Sequence, residues 1–234
     1  MKKFLLAIAQ QAPWHNRACA QHSLGAAAET PARLALPASA IMGLFGGLAA
    51  ALVFLLTSVL LATRPALVLG LLVGIWFAIP KPTHPGWSQP LGSKSAIAIG
   101  LLALLKLEIL AEIDPAWIPV VLICGATWAR VAALAARQDP VIGLGRAEPS
   151  ARWISLLIGT LPLCFFGLWP EPVWGLWVAA GIALVFARLL RPDHWAAPIA
   201  VRWMACEVVY CLCALALMSA ASLSEFAEEA LPGS

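Results

Sequence analysis

The sequence predicts an all-α integral membrane protein, a helix bundle of about seven transmembrane spans with a cytoplasmic N-terminus. Three observations predict it. First, 62% of the 234 residues are hydrophobic and 12% are charged, where a soluble domain is about 45–50% apolar and about 25% charged. With a mean hydropathy of +0.87, the chain carries more apolar surface than one water-soluble core can hide. Second, seven apolar runs reach the length of about 17–25 residues that a helix needs to cross the hydrocarbon. Third, twelve of the fifteen basic residues fall on one side of the resulting topology and one on the other, a positive-inside bias that fixes the orientation.

Residues 1–39 open with Met1-Lys2-Lys3 and a short apolar stretch from Phe4 to Ala9, which Gln10 and Gln11 interrupt. That stretch is shorter than a signal-peptide core of about 7–15 residues. The segment therefore reads as retained and cytoplasmic, with Phe4, Leu5 and Ile8 suited to an interfacial helix.

The transmembrane domain, 40–222, contains expected spans at 40–62, 64–80, 96–113, 116–136, 153–169, 173–190 and 203–222. The second is short and ends at Pro80-Lys81-Pro82, which leaves a re-entrant helix as an alternative. A full crossing is favoured, because only then do the basic loops alternate in sequence. With the N-terminus inside, the cytoplasmic segments hold Lys2, Lys3, Arg17, Arg33, Lys81, Lys94, Arg137, Arg146, Arg152, Arg188, Arg191 and Arg202. The far side keeps Arg64 and gathers Glu112, Asp114, Glu171, Glu225, Glu228 and Glu229. Residues 223–234 form an acidic tail on that far side. Trp117, Trp153, Trp169, Trp174, Trp177 and Trp203 fall near span ends, as an aromatic belt requires. The basic residues lie in loops rather than in a stripe, so no nucleic-acid partner is expected.

Four ionisable residues fall inside the spans: Lys106, Glu108, Arg130 and Glu207. A charge in hydrocarbon is costly, so each should face protein or water and find a partner. At about 1.5 Å per residue, Lys106 and Glu108 lie roughly 15–18 Å from the cytoplasmic span end, Arg130 roughly 9 Å and Glu207 roughly 6 Å. Similar depth makes Arg130 and Glu207 the expected pair. Lys106 and Glu108 stand about 200° apart around one helix and cannot share a face. These four residues are either a polar pocket beneath the cytoplasmic loops or a helix-packing ion pair.

The remaining patterns are weaker. His84 and His194 lie in cytoplasmic loops and would meet only if those loops converge; no His-x-x-x-His spacing supports a metal site. The six cysteines show no Cys-x-x-Cys spacing, and five sit in or beside apolar runs, where a thiol behaves as a small hydrophobe. Gly43 and Gly47 are four apart and offer a small face for close helix contact.

The order of these features resembles the cobalamin synthase family, the adenosylcobinamide-GDP ribazoletransferases. Met1-Lys2-Lys3-Phe4-Leu5-Leu6-Ala7-Ile8 is similar to the family's opening, and Ala40-Ile41-Met42-Gly43-Leu44-Phe45-Gly46-Gly47 to the start of its first span. Ser93-Lys94-Ser95-Ala96 resembles the stretch before its third span. Leu104-Leu105-Lys106-Leu107 matches its Leu-Leu-Lys-Leu, Trp128-Ala129-Arg130 sits near its Gly-Arg-Trp-Ala, and Glu207 resembles the end of its Asn-Glu-Leu-x-Glu signature. The resemblance covers nearly the whole chain through short, partly hydrophobic matches.

The departure from the family is chemical. Its loop after the second span carries His-x-Asp-Gly-x-x-Asp-x-x-Asp, whose aspartates are the expected magnesium ligands, since a leaving diphosphate needs a hard cation on carboxylate oxygen. Here that loop, from Ile79 to Gly92, contains no carboxylate. The resemblance therefore implies the family's fold without its metal site, and the expected role is a non-catalytic accessory or binding subunit of a larger membrane complex with no cofactor; a respiratory or photosynthetic complex is compatible as host, and the sequence does not choose one. Its expected partners are the lipid bilayer and other membrane-protein subunits, and its expected place is the bacterial inner membrane. The alternative is an active ribazoletransferase with a rebuilt site, in which Lys94, Lys106, Arg130 and Glu207 contact substrate, His84 and His194 border the loops, and Asp139 or Asp193 supplies oxygen to Mg2+. A transporter is disfavoured, because seven spans do not divide into two equal repeats.

Overall fold

The computed structural model describes residues 32–78, 92–135, 149–166, 173–189 and 199–229. Among them stand seven α-helices and no strand: α1 (Ala32–Ser58), α2 (Thr63–Ala78), α3 (Ser93–Ala111), α4 (Ile118–Ala135), α5 (Pro149–Phe166), α6 (Val173–Leu189) and α7 (Ile199–Glu229). Each expected span coincides with one of these helices. Two of them, over Pro37–Ser58 and Ile199–Ala220, are long and apolar enough to cross a membrane.

The boundaries shift most at the two ends of the chain. The first helix begins eight residues before the expected start at 40 and stops four before the expected end at 62. Its C-terminus is chemical rather than hydrophobic. Thr57 Oγ1 donates to the Val53 carbonyl at 2.6 Å and Ser58 Oγ to the Leu55 carbonyl at 2.9 Å. Such hydroxyls compete with the backbone ladder near a helix end, and the Leu60 N–H turns back to the Thr57 carbonyl. Val59, Leu60 and Leu61 thus lie in a turn although their hydropathy reads as span. At the other end, α7 starts at Ile199 instead of 203 and continues to Glu229, so helix extends into the stretch expected as an acidic tail.

Helix α4 is the hub: it packs on α1, α5, α6 and α7, and its seam with α1 is the most extensive in the molecule. That seam depends on glycine. A Cβ at Gly43 would lie 2.7 Å from the Ala126 carbonyl oxygen, and one at Gly47 would lie 2.8 Å from the Ile123 Cα. Both are backbone atoms that a side chain cannot push aside. The expected small-residue face is therefore a real contact between backbones. Phe54, Leu67, Leu110, Ile118, Leu122, Leu163, Leu176 and Tyr210 fill the interior around it.

Helix α7 joins α6 and α4 to the flanking α3, which also touches α2. The outer faces are apolar too. Leu56, Leu60, Leu72, Leu101, Leu104, Leu157, Phe165 and Leu189 are all exposed, and they come from six different elements or turns.

Candidate functional site

The buried charges meet beside α7, which packs on both α3 and α4, near the end of α2. Lys106 on α3 donates to Glu207 on α7, Nζ to Oε1, at 2.5 Å, and both side chains are buried. This corrects the expected pairing of Arg130 with Glu207. Depth does not choose between the cations: measured from Ala135, Ile199 and Ser93, Arg130 lies about 8 Å in, Glu207 about 12 Å and Lys106 about 20 Å. Direction decides, since α7 packs on both α3 and α4 and the lysine is the side chain that reaches the carboxylate.

Arg130 is buried beside this pair and takes a different hydrogen bond. Its Nη2 donates to the Phe77 carbonyl at 2.6 Å, and its guanidinium carbon lies 4.7 Å from the centre of the Trp203 ring. Glu207 also attracts it electrostatically. Two cations thus share one buried carboxylate. The surplus positive charge is met by a carbonyl at the negative end of α2 and by the π face of Trp203. The Arg130 stem reaches that position by crossing Gly43, where a Cβ would stand 2.9 Å from Cδ.

Phe77 stands next to the last residue of α2, at the negative end of that helix. Trp203 departs from its expected place. Expected in an interfacial belt, it is instead buried under Arg130. Its helix begins four residues earlier than its hydropathy suggests, which draws it inside the bundle.

Glu108 turns away from Lys106, as the angle between them requires. It is exposed and faces Arg64 at the start of α2, with Nη2 to Oε2 at 3.4 Å. Lys94 is exposed in the first turn of α3, apart from the buried charges. His84, His194, Asp139 and Asp193 lie outside the described residues. Cys124, Cys206 and Cys211 are buried free thiols, Cys213 is half-buried and Cys164 is exposed.

Chemically, this centre is closed. Glu207 is the one buried carboxylate among the described residues, and a lysine ammonium holds it with a guanidinium nearby. A divalent cation placed there would face two positive charges, so the magnesium site of the resembled family does not fit this donor set. Among the described residues no three His, Cys, Asp or Glu side chains come together to hold a metal.

No protein-family model, no curated protein and no solved structure matches the chain.

Proposed function

We propose that the chain is a seven-span protein of the bacterial inner membrane, N-terminus cytoplasmic, serving as a non-catalytic binding or accessory subunit of a larger membrane complex. The observation that carries the membrane reading is the exposed surface. Large apolar side chains such as Leu60 at 85% exposure and Phe165 at 68% stand out on every flank of the bundle. Soluble monomers do not leave so much contiguous apolar surface in water. The few charges inside the spans are paired or directed inward, as a bilayer demands.

The accessory reading rests on the closed polar centre and on the carboxylate-free loop from Ile79 to Gly92. Trp76, Trp153 and Trp177 stand exposed on three separate helices, the residue type that anchors contacts with lipid or with another chain. Purification in mild detergent tests it. A partner membrane protein retained in fixed stoichiometry supports the reading; a chain that runs alone, with its own activity, contradicts it.

One observation favours a second reading, an active ribazoletransferase with a rebuilt site. Lys106, Arg130 and Glu207 come from three of the segments that carry the family resemblance, and they converge in space. The test is turnover in liposomes with magnesium, adenosylcobinamide-GDP and α-ribazole phosphate. Joined product that Arg130→Ala abolishes establishes the transferase. No product, beside an active control enzyme, leaves the accessory reading.

A further inference from the structure

Five of the helices form a closed ring. Each packs on the next in the order α1, α2, α3, α7, α4 and back to α1. Across the ring no pair builds a comparable seam, and α2 and α7 touch only sparsely. At interaxial distances of about 8–10 Å, the middle of such a ring lies about 7–8 Å from every axis. That is well beyond a backbone radius of about 2.3 Å, so side chains fill the interior.

The sequence puts charge there. Lys106 enters from α3, Arg130 from α4 and Glu207 from α7, and all three are buried. Helix α2 contributes the Phe77 carbonyl, and α1 contributes Gly43, whose missing side chain lets the Arg130 stem pass. Ile75, Ile99 and Met204 close the α2–α3–α7 side with apolar atoms. Among the described residues the buried charges sum to +1, two cations against one carboxylate. The Phe77 carbonyl and the Trp203 ring supply partial charges and leave that unit of surplus in place. A charge without a counter-charge in an apolar interior is costly.

Donors are in surplus as well. A guanidinium carries five N–H donors and an ammonium three, and each of these two side chains makes one hydrogen bond among the described residues. Trp203 covers the guanidinium from one side, which leaves the in-plane N–H edge for an acceptor. The centre excludes a divalent cation for the same reason that it suits an anion.

We propose that the ring interior is a binding site for one small inorganic monoanion of the chloride class, held on the N–H edge of Arg130 with Lys106 as the second cation. Charge chooses the ligand: a monoanion brings the interior to neutrality, whereas a dianion overshoots it. The ion enters from the end where α2 and α4 stop and α7 begins. Phe77 stands in the last turn of α2, and Arg130 in the last two turns of α4. Lys94, exposed in the first turn of α3, lies at that end too, and positive potential there draws anions inward. The inference goes beyond the accessory reading and does not depend on it.

Equilibrium dialysis of the full chain in detergent against radioactive chloride, with gluconate holding ionic strength and a fixed pH, counts the sites. The wild type should take up close to one chloride per chain, saturably, and release it to bromide or nitrate. Arg130→Gln should bind at least about tenfold more weakly, and Arg152→Gln on the surface should bind as the wild type does. Glu207→Gln, nearly isosteric, removes the negative charge that shares the cations and should bind at least about tenfold more tightly. An unfolded or generally salt-sensitive chain shows no such gain. Absence of a saturable site overturns the proposal, as does displacement by sulfate or phosphate at lower concentration than by nitrate. So does a Glu207→Gln chain that binds no more tightly, or an Arg130→Gln chain, folded by tryptophan fluorescence, that binds as the wild type does.

Discussion

At the scale of single residues, the account turns on how Lys106, Arg130 and Glu207 satisfy one another. Lys106→Met alone leaves Glu207 buried beside Arg130 without its hydrogen-bond donor, and Glu207→Leu alone leaves two buried cations. Breaking one partner of a buried pair costs about 3–5 kcal/mol, whereas replacing both with apolar groups is close to neutral. Glu207→Leu should therefore lower thermal stability sharply, and Lys106→Met with Glu207→Leu should recover most of it, read by tryptophan fluorescence in detergent. Arg64→Ala removes an exposed pair and should cost less than about 1 kcal/mol. That the charges within the apolar runs would find partners was legible in the sequence, because an unpaired charge among apolar side chains is costly. The membership of the pair was not. Depth along a helix does not fix which way a side chain points, and Arg130, although nearer in depth to Glu207, turns to the Phe77 carbonyl and the Trp203 ring.

At the scale of elements, the seven runs of apolar sequence predict the helices well, since length and hydrophobicity together leave few alternatives. Their ends depend on local hydrogen bonding that hydropathy does not register. Thr57 and Ser58 end α1 early, and α7 continues through polar residues because helix persists beyond the apolar stretch. The α1–α4 seam gives the sharpest prediction here. Gly43→Leu forces a side chain onto the Ala126 carbonyl and across the Arg130 stem, which should cost at least about 1–3 kcal/mol of overpacking and detach Arg130 from Phe77. Gly100, with nothing within 4 Å of a Cβ, is the control: Gly100→Ala should be neutral or stabilise α3 by up to about 1 kcal/mol. The same unfolding measurement ranks both variants.

At the scale of the whole molecule, the all-helical class was legible from the sequence, because long apolar runs leave few alternatives to helix, and two of them, Pro37–Ser58 and Ile199–Ala220, form helices long and apolar enough to cross a membrane. Function was less legible. The residues that would carry chemistry in the resembled family are largely absent from the sequence, and the polar centre that remains is bonded to itself. The central claim is that seven helices cross the membrane with the N-terminus inside. Single cysteines placed in a cysteine-free background at Ser88, Ala147 and Asp114 test it in intact spheroplasts with a membrane-impermeant maleimide. The account predicts that Asp114→Cys labels at once and that Ser88→Cys and Ala147→Cys label only after permeabilisation. Labelling of Ser88→Cys and Asp114→Cys from the same side would contradict it.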